Sequence, residues 1–216
     1  MTATATTSEQ TIASQVESLR KLATTDAVAA QNAAWDLFKQ LGADVAGDRE
    51  GAGALLAELF GYGTPSAPSG PTDGILVAPM IQPGLDVGLR ALTARWMPWS
   101  GKSFDPATQT GTNRLINSSK LPLKALFPSY KTRPAQDSGV LAFDFQTRVE
   151  QGAAEPAVDV LVIDYEPVES NPDLIIRHIR DELVEIVPGT HLGRILYSTK
   201  SGYTNIGYFA LKTDVS

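Results

Sequence analysis

Residues 157–165 read AVDVLVIDY, in which Val158, Val160, Val162 and Asp164 alternate with Asp159, Leu161, Ile163 and Tyr165. A period of two marks a strand, and because both faces are largely apolar, each must be covered by another layer. Residues 140–149 (VLAFDFQTRV) alternate as well, with Leu141, Phe143, Phe145 and Thr147 opposing Ala142, Asp144, Gln146 and Arg148. Residues 190–199 and 204–212 predict a final hairpin, and ILVAPMI from Ile75 predicts a further strand that Pro79 confines to an edge or bulge.

The front of the chain has the helical period instead. Ile12, Val16 and Leu19 follow Ser8, a suitable N-cap; Asp26 precedes Val28, Trp35, Phe38 and Leu41, with a stop near Gly42. Asp48 precedes Leu55, Leu56, Leu59 and Phe60, before Gly61 and Gly63. Leu85, Leu89, Leu92 and Trp96 are also at helical spacing. So few amphipathic helices need another surface to cover, which argues for a single domain over 1–216. Its parts are a helical cap over 1–60, a Gly/Pro/Ser-rich loop over 61–74 and β structure over 75–216. The expected class is mainly β with N-terminal helices (α+β): a closed or nearly closed antiparallel barrel capped by two or three helices.

Composition excludes several functions. Acids outnumber bases 24 to 18, which is unfavourable for nucleic-acid binding because phosphate contacts need a basic footprint. The absence of cysteine removes thiolate chemistry and Cys-built metal sites. His178 and His191 are the only histidines and are isolated from suitably spaced carboxylates, so no metal, haem or other cofactor is expected. No apolar run is long enough to span a membrane and no signal peptide is recognisable, so the expected location is the cytoplasm. Neither a dinucleotide fingerprint nor a P-loop occurs.

The charge is uneven. Residues 102–133 carry six basic residues and one acid, whereas residues 134–185 carry twelve acids against three bases. This is either a basic rim beside an apolar cavity or two solvated faces of opposite sign. The basic stretch opens on Trp96-Met97-Pro98-Trp99-Ser100-Gly101-Lys102-Ser103-Phe104. Trp96, Trp99 and Phe104 are candidate ligand-binding residues, as are Phe143, Phe145, Tyr197 and Tyr208 on the strands. Lys102 would hold an acidic group or an enolate, or else snorkel outward. Lys102, Asp164 and Tyr165 are the candidate catalytic groups, with Asp164 either a base or the partner of Arg180 in a structural ion pair.

The series Trp99-x-Gly101-Lys102-x-Phe104, Asp164-Tyr165 followed by Pro172, Leu192-Gly193 and Tyr208-Phe209-Ala210-Leu211 resembles the GxWxG-type bacterial proteins of unknown function. It differs from them in the order Asp-Tyr and in lacking an upstream Gly-x-Trp-x-Gly element. The resemblance implies a small barrel related in shape to the calycin and lipocalin-like lipid binders, with phospholipid or other apolar ligands.

Two functions stay open. One is the binding of a hydrophobic small molecule, lipid or polyketide-like, inside the barrel. The other is a cofactor-free cyclase or isomerase acting on a hydrophobic, natural-product-like substrate in the same cavity. An interaction protein with a self-filled interior is a third option, and the helices would serve as a lid or as a homodimer face.

Overall fold

The computed structural model describes residues 11–80, 99–136 and 138–214. Three helices come first: α1 (Ile12–Ala23), α2 (Ala27–Asp44) and α3 (Arg49–Gly61). Asp26 and Asp48 cap α2 and α3 as expected, each accepting a backbone N–H at 2.8 Å from Ala29 and Gly51. The cap of α1 is Thr11, whose hydroxyl accepts from Ser14 N at 3.3 Å; Ser8 lies outside the described residues. Helix α2 runs through Gly42, where a Cβ would sit 2.2 Å from the Val77 carbonyl oxygen. Gly42 therefore permits close approach to a strand and does not stop the helix.

The strands are β1 (Gly70–Pro71), β2 (Asp73–Pro79), β3 (Trp99–Asp105), β4 (Thr110–Leu115), β5 (Arg133–Pro134), β6 (Val140–Gln151), β7 (Asp159–Asp164), β8 (Ile179–Val187), β9 (Thr190–Thr199) and β10 (Gly202–Lys212). A short helix, α4 (Lys120–Leu126), precedes β5. All pairings are antiparallel, in the order β1-β3-β4-β6-β7-β8-β9-β10-β2, with β5 added to β6. Residues 70–79 thus pair with β3 at their start and with β10 along the rest, and Thr72 N donates to Lys102 O at 2.8 Å between them. The sheet returns to its own first strand as a nearly closed barrel. At this seam Gly101 has φ +144°, and a Cβ there would lie 2.0 Å from Thr72 O.

The expected final hairpin is present as β9 and β10, and β7 is covered on both faces. Leu161 and Ile163 point into the barrel with Phe104, Phe145, Leu183 and Phe209. Val160 and Val162 point outward with Val184, Ile186 and Ala210, and they meet Phe38, Leu56, Leu59 and Phe60 of the helices. The N-terminal helices therefore cover the outer wall of β2 and β7–β10. At roughly 1.5–3 kcal/mol for each fully buried large apolar side chain, these contacts hold the two layers together. On the same wall Glu182 is fully buried, with Arg194 Nε at 2.7 Å, Arg180 Nε at 3.0 Å and Ala153 N at 2.7 Å.

The alternation read in β6 fails at one residue. Asn113 pairs with Ala142 and Thr112 with Asp144, which leaves Phe143 unmatched in a bulge with φ +56°. Val140 and Ala142 face inward before it, Phe143 and Phe145 after it. Leu141, which strict alternation groups with Phe143 and Phe145, is placed on the other face by this extra residue. The helix expected around Leu85–Trp96 lies outside the described residues. None of the described helices is long and apolar enough to cross a membrane.

Candidate functional site

A cavity of about 240 Å³ occupies the barrel end formed by the start of β3, β6, β8 and β10. Leu76, Leu115, Phe143, Ile176, Ile195 and Phe209 supply most of its apolar wall; α1–α3 supply none of it. Four polar side chains complete the wall: Lys102 from β3, Asn113 from β4, Tyr165 just beyond β7 and Asp181 from β8.

These four form one network. Lys102 Nζ is 2.8 Å from Asp181 Oδ2, 2.9 Å from Asn113 Oδ1 and 2.5 Å from Tyr165 Oη. Tyr165 Oη donates to Asp181 Oδ2 at 2.9 Å. Asn113 Nδ2 donates to Tyr165 Oη and to Phe143 O, both at 3.1 Å, while Trp99 Nε1 donates to Asn113 Oδ1 at 3.1 Å. Lys102, Tyr165 and Asp181 are each at most 5% exposed. Burial lowers the Lys102 pKa, and the Asp181 carboxylate opposes that shift. Burial, reinforced by the Asp181 charge, raises the Tyr165 pKa well above its ordinary value, so the phenol keeps its proton. The ammonium also lies 5.2–5.7 Å from the ring centroids of Trp99, Phe145, Tyr165 and Phe209.

The left-handed backbone at Phe143 is costly for a bulky residue. It is held by neighbours: Phe143 N donates to Tyr130 Oη, the Tyr130 ring stacks on Phe143 at 5.1 Å, and Phe127 meets it edge-on at 6.1 Å. The bulge turns the phenylalanine into the cavity and brings its carbonyl to Asn113.

Of the residues expected from sequence, Lys102, Tyr165, Trp99 and Phe143 meet at this cavity. Trp96 lies outside the described residues. Phe104 and Phe145 pack against each other at 5.3 Å, outside this wall, and border a second recess of about 410 Å³ over β3, β4 and β6. The charged pair of that recess, Arg133 and Asp144, is bonded to itself at 2.6 and 2.7 Å. Tyr197 is half-buried beside His178 and outside the cavity wall, and Tyr208 is buried among the helix contacts on the outer wall. Asp164 also points outward, paired with Arg148 at 2.6 Å. The ion pair weighed for it with Arg180 does not form, because Arg180 turns to Glu150 and Glu182.

Asp181 and Asn113 complete the network with no motif around either of them. Their signal was positional: Asp181 stands two residues from Ile179 and Leu183, and Asn113 two from Leu115, so each is a polar residue on an apolar strand face. Among the described residues no three His, Asp or Glu side chains gather as a metal site.

No family model and no curated protein matches the sequence. A solved structure of a protein from Thermomonospora curvata is similar over 83% of this chain and 99% of that one, at 17% identity and a TM-score of 0.43.

Proposed function

We propose that the barrel binds a compact hydrophobic small molecule in the Trp99–Phe143–Phe209 cavity. The observation that carries this reading is an apolar-walled space beside a buried polar cluster, the usual make-up of a ligand site. Its size narrows the ligand. An apolar cavity of about 150 Å³ takes up benzene, and drug-sized ligands occupy about 300–1,000 Å³. At about 240 Å³ the ligand lies between these, as a small ring system or short polyketide-like compound does, and a whole phospholipid exceeds the space. Kinship with the GxWxG-type proteins belongs to the same proposal, since Trp99 and Lys102 of the resembling segment both reach the cavity.

The test is native mass spectrometry of the purified protein followed by denaturation and identification of any released compound. Titration with an apolar fluorescent probe accompanies it. A bound compound, or saturable probe uptake that Leu76→Trp blocks, supports the reading. A protein that is empty and takes up no probe overturns it.

One observation favours a second reading. Asp181 is a carboxylate in an apolar cavity beside a phenol, the kind of acid–base pair that a cofactor-free isomerase or cyclase uses to move a proton. Incorporation of solvent deuterium into a bound compound by the wild type, lost in Asp181→Asn, supports that activity; no exchange excludes it.

A further inference from the structure

The polar wall of the cavity can be counted donor by donor. The three N–H bonds of Lys102 go to Asn113 Oδ1, Tyr165 Oη and Asp181 Oδ2. The hydroxyl proton of Tyr165 goes to Asp181 Oδ2, and the two N–H bonds of Asn113 go to Tyr165 Oη and the Phe143 carbonyl. The indole N–H of Trp99 goes to Asn113 Oδ1. Every donor is engaged. One acceptor is left: Asp181 Oδ1, which is buried and has no hydrogen-bond partner among the described residues.

We infer that the ligand is a compact, neutral, apolar molecule that brings a hydroxyl group, alcohol or phenol, to Asp181 Oδ1. The inference rests on the reading of this cavity as a ligand site. A buried carboxylate oxygen without a donor carries a desolvation penalty that a ligand O–H relieves. A carboxylate or phosphate would meet that oxygen with no free N–H to compensate, so Lys102 does not serve here as an anion holder. A ketone presents lone pairs to lone pairs. A cationic ligand would enter beside the ammonium of Lys102, which already balances Asp181.

The experiment compares menthol, menthone and p-menthane, which share one ring skeleton and offer a hydroxyl, a carbonyl and no polar group. Their affinities are measured by displacement of an apolar fluorescent probe and by calorimetry. The expected result is menthol binding at least about tenfold more tightly than menthone, the effect of one hydrogen bond to a charged acceptor. In Asp181→Asn, where an amide N–H can take the place of the free oxygen, the preference turns toward menthone. Equal affinities for menthol and menthone, or tighter menthone binding by the wild type, overturn the inference and leave the cavity reading standing. A menthol preference that persists unchanged in a folded Asp181→Asn variant overturns it too. If neither the three compounds nor the probe bind, the cavity reading falls and takes the inference with it. The wild-type comparison needs no variant, so it holds even if Asp181→Asn does not fold.

Discussion

Lys102 Nζ and Asp181 Oδ2 meet at 2.8 Å across the barrel interior, from strands β3 and β8 that are not neighbours in the sheet. The pair ties two walls of the barrel together. Removing one member of a buried ion pair costs about 3–5 kcal/mol, because the other charge stays behind without a counterion. Lys102→Met is therefore expected to lower unfolding stability by that order. The double variant Lys102→Met/Asp181→Leu should recover part of the loss. Urea unfolding of the two singles and the double checks this, and a double variant less stable than either single contradicts it.

Phe143 reverses the ordinary ranking of glycine and alanine. In regular structure Gly is less stable than Ala by about 0.5–1 kcal/mol, but at φ +56° the penalty falls on any residue with a Cβ. Phe143→Gly should be the more stable of the two truncations by about 1 kcal/mol, although both lose the Tyr130 and Phe127 contacts. Thermal melts of the pair decide the point.

Two helical glycines should respond with opposite sign. Replacing Gly by Ala in a helix gains about 1 kcal/mol when space allows. At Gly53 the new methyl would meet only the flexible end of Met80, at 2.7 Å, so Gly53→Ala is expected to be neutral or stabilising. At Gly42 it would meet the Val77 backbone carbonyl, and overpacking of about 1–3 kcal/mol outweighs the gain. Gly42→Ala is expected to melt below the wild type.

His191 makes the fold sensitive to acid. Both ring nitrogens are buried without a hydrogen-bond partner, Glu185 Oε1 stands 3.6 Å away, and burial lowers the pKa to about 4. The unfolded imidazole takes up its proton near pH 6.5, whereas the folded one resists until about pH 4. This contribution is therefore fully favourable above pH 6.5 and is lost as the pH falls toward 4, by about 3 kcal/mol at about 1.4 kcal/mol per pKa unit. Denaturant unfolding at pH 7 and pH 4.5 should show a smaller difference for His191→Leu than for the wild type.

What could be read in the sequence followed from how each residue is covered. Strand β7 announced itself because both of its faces are apolar, and the helix caps at Asp26 and Asp48 are local chemistry. The same alternation that puts Tyr165 inward puts Asp164 outward, so their adjacency in sequence separates them in space. Asp181 was hidden in the run Arg180-Asp181-Glu182, which looks like solvated surface. It is in fact a strand whose outward charges, Arg180 and Glu182, are buried by partners from β6 and β9, while the middle one faces the cavity. No local signal reports that covering. The bulge at Phe143 was equally hidden, because it exists only in register with Asn113.

The barrel's seam sets an order in time as well as in space. Residues 73–79 find their ladder partner in residues 207–212, the far end of the described chain. Until β10 has been synthesised, β2 has no neighbour along most of its length, and α1–α3 lack part of the wall they cover. Closure over so long a loop is entropically slow and makes the β2 ladder wait for β10. Nascent chains stalled before β10 should therefore display their helical apolar faces and unpaired β2 edge to whatever chaperones attend them.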